Sequence, residues 1–124
     1  NLVRDYYYFK DLQSAVVLKL TAELKVSFPA YRKVFSKVTT QTSLKLLEAY
    51  PLAADMLAAP EDILVETIRK TARFGEKYAV SKYDAIRAAA KDAAIFGRAL
   101  QSSALRIRLY IKAYREYQEI CTIT

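Results

Sequence analysis

Apolar positions at Leu2, Tyr6, Phe9, Val16, Leu20 and Leu24 recur at three or four residues, or at multiples of these. That is the period of one helical face. Gln13 interrupts the stripe. The pattern predicts a helix from Leu2 to Phe28, ended by Pro29, because the residue before a proline is driven out of the helical region. Such a helix is on the order of 40 Å long. Tyr6, Tyr7, Tyr8 and Phe9 cannot all share one face. At least one of these rings must point to a partner or to water.

Pro29 to Thr42 reads as a connector. Tyr31, Val34 and Phe35 fit one helical turn, with Arg32, Lys33 and Lys37 outside it. The run from Thr39 to Ser43 supplies an N-cap, without distinguishing which hydroxyl serves. Three short helices follow, jointed by prolines. The first is TSLKLLEAY, stopped by Pro51; then LAADMLAA; then EDILVETIRK after Pro60. Pro60 suits the first position of the third helix, where its missing N–H costs nothing. Glu61 and Asp62 complement the positive end of that helix, and Arg69, Lys70 and Arg73 the negative end. Gly75 is the expected stop. Ser81 with Asp84 three residues later reads as a variant capping box, opening SKYDAIRAAAKDAAIF. Ile86, Ala89, Ala90 and Ala93 give that helix a narrow face for close packing. A break or kink is expected at Gly97, with a restart at Ser102 or Ser103; the alternative is a helix that runs through Gly97 at a cost of about 1 kcal/mol relative to Ala. In the last helix, Ala104 to Cys121, the residues Ile107, Tyr110, Tyr114, Tyr117 and Cys121 mark a near-heptad seam, widened by Leu109, Ile111 and Ile120.

The expected fold is all-α. One helical domain covers residues 1–124: a long helix over 1–28, a compact multi-helix unit over 42–97, and a long helix over 103–121. The two long helices are expected to pair antiparallel and coiled-coil-like, with the short helices gathered at one end.

Composition narrows function mainly by exclusion. Two Gly and three Pro in 124 residues, with 53% hydrophobic content, suit one packed domain. No His and a single Cys, Cys121, leave no usual zinc ligand set and no His base. The carboxylates are scattered, and neither a phosphate loop nor a GxGxxG is present. No catalytic residue, metal or cofactor is therefore expected in this chain. A lone Cys fits a reducing, cytoplasmic setting. No uncharged apolar run approaches ~20 residues, so no membrane partner is expected. The net charge of +7 points to an anionic partner, nucleic acid first. The candidates are Arg69, Lys70 and Arg73 in RKTAR, and Arg106, Arg108, Lys112 and Arg115 in RIRLYIKAYR. Plain solvated faces are the other reading of both clusters. For self-association the candidates are Tyr6, Phe9, Ile107, Tyr110, Tyr114 and Tyr117, whose surplus apolar area suits a homodimer; packing on flanking domains of a longer protein is the other reading.

Three features together resemble the middle region of DEDD-type insertion-sequence transposases, the Piv-like, RNA-guided recombinase family. They are the long helix leading into FPAYRKVF, the run TSLKLLEAYPLAADMLAA with PEDILVETIRK, and SKYDAIRAAAKDAA before a final long helix. The resemblance covers roughly Leu2 to Ile120. Its most specific points are Phe28-Pro29, Tyr50-Pro51, Leu57, Ile68, and Lys82 with Ala85 and Ala89. It implies a helical, coiled-coil-like assembly and dimerisation module. In that family the module joins an RNase H-like domain with four acidic residues to a domain with a catalytic serine. DNA, and a guide RNA, are then partners of the whole protein, and this chain is an excised piece of it. Asn1, which is not an initiator Met, fits that expectation. The chain departs from the family pattern at Leu52-Ala53-Ala54, which lacks a Ser/Thr-Pro cap. It departs again at Phe74, Gly75 and Tyr78, where an Arg- and Gly-rich run is usual. A stand-alone basic helical adaptor for DNA or RNA is the competing reading.

Overall fold

The computed structural model describes residues 1–96 and 101–123. The described residues form six α-helices and one 3-10 turn, without strand. The helices are α1 (Leu2–Ser27), α2 (Gln41–Ala49), α3 (Ala53–Ala58), α4 (Glu61–Ala72), α5 (Glu76–Phe96) and α6 (Gln101–Ile123), with the 3-10 turn at Pro29–Lys33. The fold is all-α, as the periodicity predicts. Gly97, and with it the expected break, lies outside the described residues.

α1 ends where the proline rule puts it. Phe28 leaves the helical region at φ −151° while its N–H still donates to the Leu24 carbonyl. Its ring turns fully inward and packs on Tyr31, with ring centroids 5.1 Å apart. Tyr31, Val34 and Phe35 are buried and Arg32, Lys33 and Lys37 exposed, as the connector pattern requires. The Tyr31 hydroxyl donates to the Ser43 carbonyl at 3.1 Å and lies 2.9 Å from the Ser43 Oγ. The connector is thereby fastened to the first turn of α2. Burial pushes the Tyr31 hydroxyl well above its usual pKa, against the opposing hydrogen bond with Ser43. Thr40 is the N-cap of α2, accepting from the Ser43 N–H at 3.2 Å. Asp55 caps α3 by accepting from the Leu52 N–H at 3.1 Å.

α1 and α6 pair antiparallel. Phe9 meets Tyr117 and Gln13 meets Gln118 near the end of α6, whereas Glu23, late in α1, meets Arg106 near the start of α6. Leu20, Leu24, Ile107 and Ile111 fill the seam and join the core of the short helices. Gln13 lies on the stripe and does not break it. It is buried, and its amide donates to the Gln118 amide oxygen. A buried amide inside an apolar seam is tolerated because its partner satisfies it. Ala79, Ile86, Ala89, Ala90 and Ala93 bury a small-residue face of α5, which packs on α3, α4 and the 3-10 turn. Small side chains allow that approach.

Four local expectations need correction. Pro60 is the N-cap of α4 rather than its first residue, at ψ 135°. Either position uses the missing N–H equally well. Gly75 does not stop α4: Arg73 does, in the left-handed region at φ 61°, with its N–H on the Arg69 carbonyl. Ser81 and Asp84 form no capping box, because α5 has already begun at Glu76. The Gly75 carbonyl accepts from the Ala79 N–H there, so the glycine serves the start of α5. The seam of α6 runs through the buried Ile107, Ile111 and Cys121; Tyr110, Tyr114 and Tyr117 flank it, half-buried. A straight helix drifts from a strict heptad, and that rotates Ile111 inward.

Candidate functional site

The two predicted surfaces, basic and aromatic, take different places in the fold. Most of the basic candidates are engaged within the chain. Arg106 forms a two-pronged pair with Glu23 across the α1–α6 seam, at 2.8 and 3.0 Å. That hydrogen-bonded pair holds the Glu23 carboxyl below the usual carboxylate range, despite its partial burial. Arg108 donates to the carbonyls of Glu48 and Ala49, closing the C-terminal end of α2. Arg115 pairs with the Glu48 carboxylate. These arginines lock α6 onto α1 and α2. Arg69 and Lys70 both pair with Glu66 on the exposed face of α4. Arg73 and Lys112 are exposed and have no ion pair among the described residues. The seven candidates therefore do not make one continuous cationic face.

The aromatic candidates separate as well. Ile107 is fully inside and serves the chain's own core. Tyr110 and Tyr114 pack against that core. Phe9 lies on Tyr117 at 6.2 Å, and Tyr6 and Phe9 are half-buried. The rings turned outward are Tyr7 and Tyr8, 63% and 59% exposed, in company with Leu2 and Val3. From Leu2 to Leu12 no residue is buried. The first three turns of α1 thus carry apolar and aromatic side chains, spread around the helix, that the single chain leaves uncovered. The Tyr-Tyr-Tyr-Phe run requires that some ring face outward. Which one is not set locally, because an isolated helix does not define where its partner ends.

Further clefts open beside the connector. One of about 270 Å³ lies between the start of α2, the end of α4 and the start of α5, with Lys82, Phe74 and Tyr78 in its wall. The Lys82 ammonium donates to the Val34 carbonyl and stands 5.5 Å from the Phe35 ring centre. A second, of about 260 Å³, is lined by Val17, Thr21, Arg32, Ser36, Lys37 and neighbours. Among the described residues there is no group of three or more metal-ligating side chains. None of the described helices is long and apolar enough to cross a membrane.

No protein-family model matches the chain, and comparison with curated proteins and with solved structures gives no match.

Proposed function

We propose that the chain is a non-catalytic helical assembly module of a DNA transposase, pairing with a second copy through its terminal helices. One observation carries the assembly reading: too much surface. A compact monomer of 14.1 kDa exposes about 6,700 Å² by size scaling. This chain exposes 7758 Å². The surplus is comparable to the roughly 800 Å² that one partner buries in a standard interface. Part of that surface is apolar and lies on the terminal helices, at Leu2, Val3, Tyr7, Tyr8, Leu18 and Val26 of α1 and Leu105, Leu109 and Ile123 of α6. A two-fold pair is the commonest way to cover such a surface.

The transposase assignment rests on the resemblance. Of its points, Phe28-Pro29 and Tyr50-Pro51 end helices, Ile68 and Ala89 are buried, Lys82 bonds the connector carbonyl, Ala85 is half-buried and Leu57 is exposed. DNA and a guide RNA belong to this proposal as partners of the whole protein. The encoding reading frame tests it: a four-acid RNase H-like segment should precede this chain and a serine-bearing domain should follow. A frame with neither overturns the assignment.

Light scattering tests the pairing. The chain should be a dimer at micromolar concentration. Tyr7→Glu with Tyr8→Glu should give monomers with an unchanged helical spectrum, since neither ring is in the core. A folded wild-type monomer at high concentration overturns the pairing. Tyr110 and Tyr114 are poor probes, because charges there would disturb the core.

A further inference from the structure

The charge of the chain is unevenly placed. Between Glu23 and Glu48 lie Lys25, Arg32, Lys33, Lys37 and Lys45 and no carboxylate. The two clefts beside the connector share Ser36 in their walls and contain no carboxylate. Other surface clefts differ: Asp92 lines one, Asp55 another, and Glu61, Asp62, Glu66 and Glu76 a third. Arg32 and Lys37 are exposed and have no ion pair among the described residues. They are unlike the arginines of α6, which are spent on the fold. Thr21 and Thr39 stand beside them in one cleft, and Thr40 and Gln41 line the other. Phe74 stands at the edge of the Lys82 cleft with 73% of its surface exposed, its ring 5.0 Å from Tyr78. The Lys82 ammonium is held by the Val34 carbonyl, so the free charge is that of Arg32 and Lys37 in the adjoining cleft, which meets the Phe74 cleft at Ser36. An exposed ring and free cations on one hydroxyl-lined face are the two components that hold an unpaired strand: charge for the phosphates and a platform for a base.

We propose that the connector face, from Arg32 and Lys37 across Ser36 to Lys82 and Phe74, binds a single nucleic-acid strand. The backbone phosphates lie along Arg32 and Lys37, with hydroxyl and amide donors beside them, and a base stacks on Phe74. A paired duplex offers no open base to that ring, so a single strand is preferred. The site does not depend on pairing between chains. A monomer that binds a strand leaves this inference standing and removes the dimer; a dimer that binds none does the reverse.

The test is fluorescence anisotropy of the whole chain with labelled twelve-nucleotide DNA and RNA strands of one sequence, and with the corresponding DNA duplex. Both Arg32→Ala with Lys37→Ala and Phe74→Ala change exposed side chains and should keep the helical spectrum. At least one strand should bind more tightly than the duplex. The cationic double variant should weaken strand binding by about tenfold or more and reduce the salt slope by about 1.4. Phe74→Ala should weaken it by about tenfold, and should not change binding of a strand made only of abasic sites. Arg69→Ala with Lys70→Ala, on the face of α4, should change nothing. Absence of strand binding, equal or better duplex binding, or full binding by either connector variant overturns the proposal. So does capture by phosphatidylserine vesicles without strand binding, which would show a surface selective for lipid charge alone.

Discussion

Arg73 ends α4 in a conformation that glycine adopts without strain. Its φ of 61° brings the Cβ close to the following carbonyl. The sequence places a glycine two positions later, where a helix stop would be expected, yet the chain turns before it arrives there. A C-cap is fixed by the last packed residue of a helix, and Ile68 anchors the last buried turn of α4. Arg73→Gly should therefore stabilise the fold by about 1 kcal/mol. A raised urea midpoint with unchanged slope would show it; an unchanged or lower midpoint would mean that the side chain contributes something the backbone strain hides. The same residue shows why charge clusters are poorly read from sequence. RKTAR looks continuous, but Arg69 and Lys70 are drawn to Glu66 one helical turn back, and Arg73 stands apart beyond the end of the helix. Lys112 and Arg115 diverge for a similar reason: only one of them reaches Glu48.

At the scale of elements, the prolines and the helical period made most of the fold legible. Pro29, Pro51 and Pro60 are local constraints, and they set three helix boundaries to within a residue or two. The alanine face of α5 was equally plain. The start of α5 was not, because Ser81 and Asp84 carry a capping pattern wherever they lie, and only the turn at Arg73 decides where the helix begins. Pairing between distant elements is harder still. Nothing local joins Glu23 to Arg106, 83 positions apart, yet their bonds tie α1 to α6. This pair makes the terminal helices sensitive to acid. The Glu23 carboxyl is held below 4.5 in the fold, first by its hydrogen bonds to Arg106. A depressed carboxyl contributes its stability in full above the unfolded value and loses it as pH falls through the folded one. At pH 6, Glu23→Gln should unfold at lower urea than the wild type. As pH falls below 4.5 that difference should shrink toward zero. A difference that persists unchanged to pH 3 would mean the pair acts by packing alone.

At the scale of the whole molecule, the question is what the long helices are for. The core needs only part of them. Leu20, Leu24, Ile107 and Ile111 join it, but the first three turns of α1 reach past it with Leu2, Val3, Tyr7 and Tyr8 exposed. A chain folding only for itself would gain by shortening that helix or by making it polar. Its extra surface is the size of half an interface, and that size suggests a second copy as the cover. Association of this kind has a thermodynamic signature. A partner that binds only the folded chain makes the melting temperature depend on concentration. Over a hundredfold rise in protein concentration the wild-type melting temperature should climb by several degrees. That estimate takes RT ln 100, about 2.7 kcal/mol per dimer, and melting shifts of about 2–8 °C per kcal/mol in domains near this size. Tyr7→Glu with Tyr8→Glu should melt at one temperature at every concentration, close to the wild type at its most dilute, because those rings add little to the monomer core. A flat wild-type series, or a variant that melts far below the dilute wild type, would place the two tyrosines in the fold and leave the surplus surface without its partner.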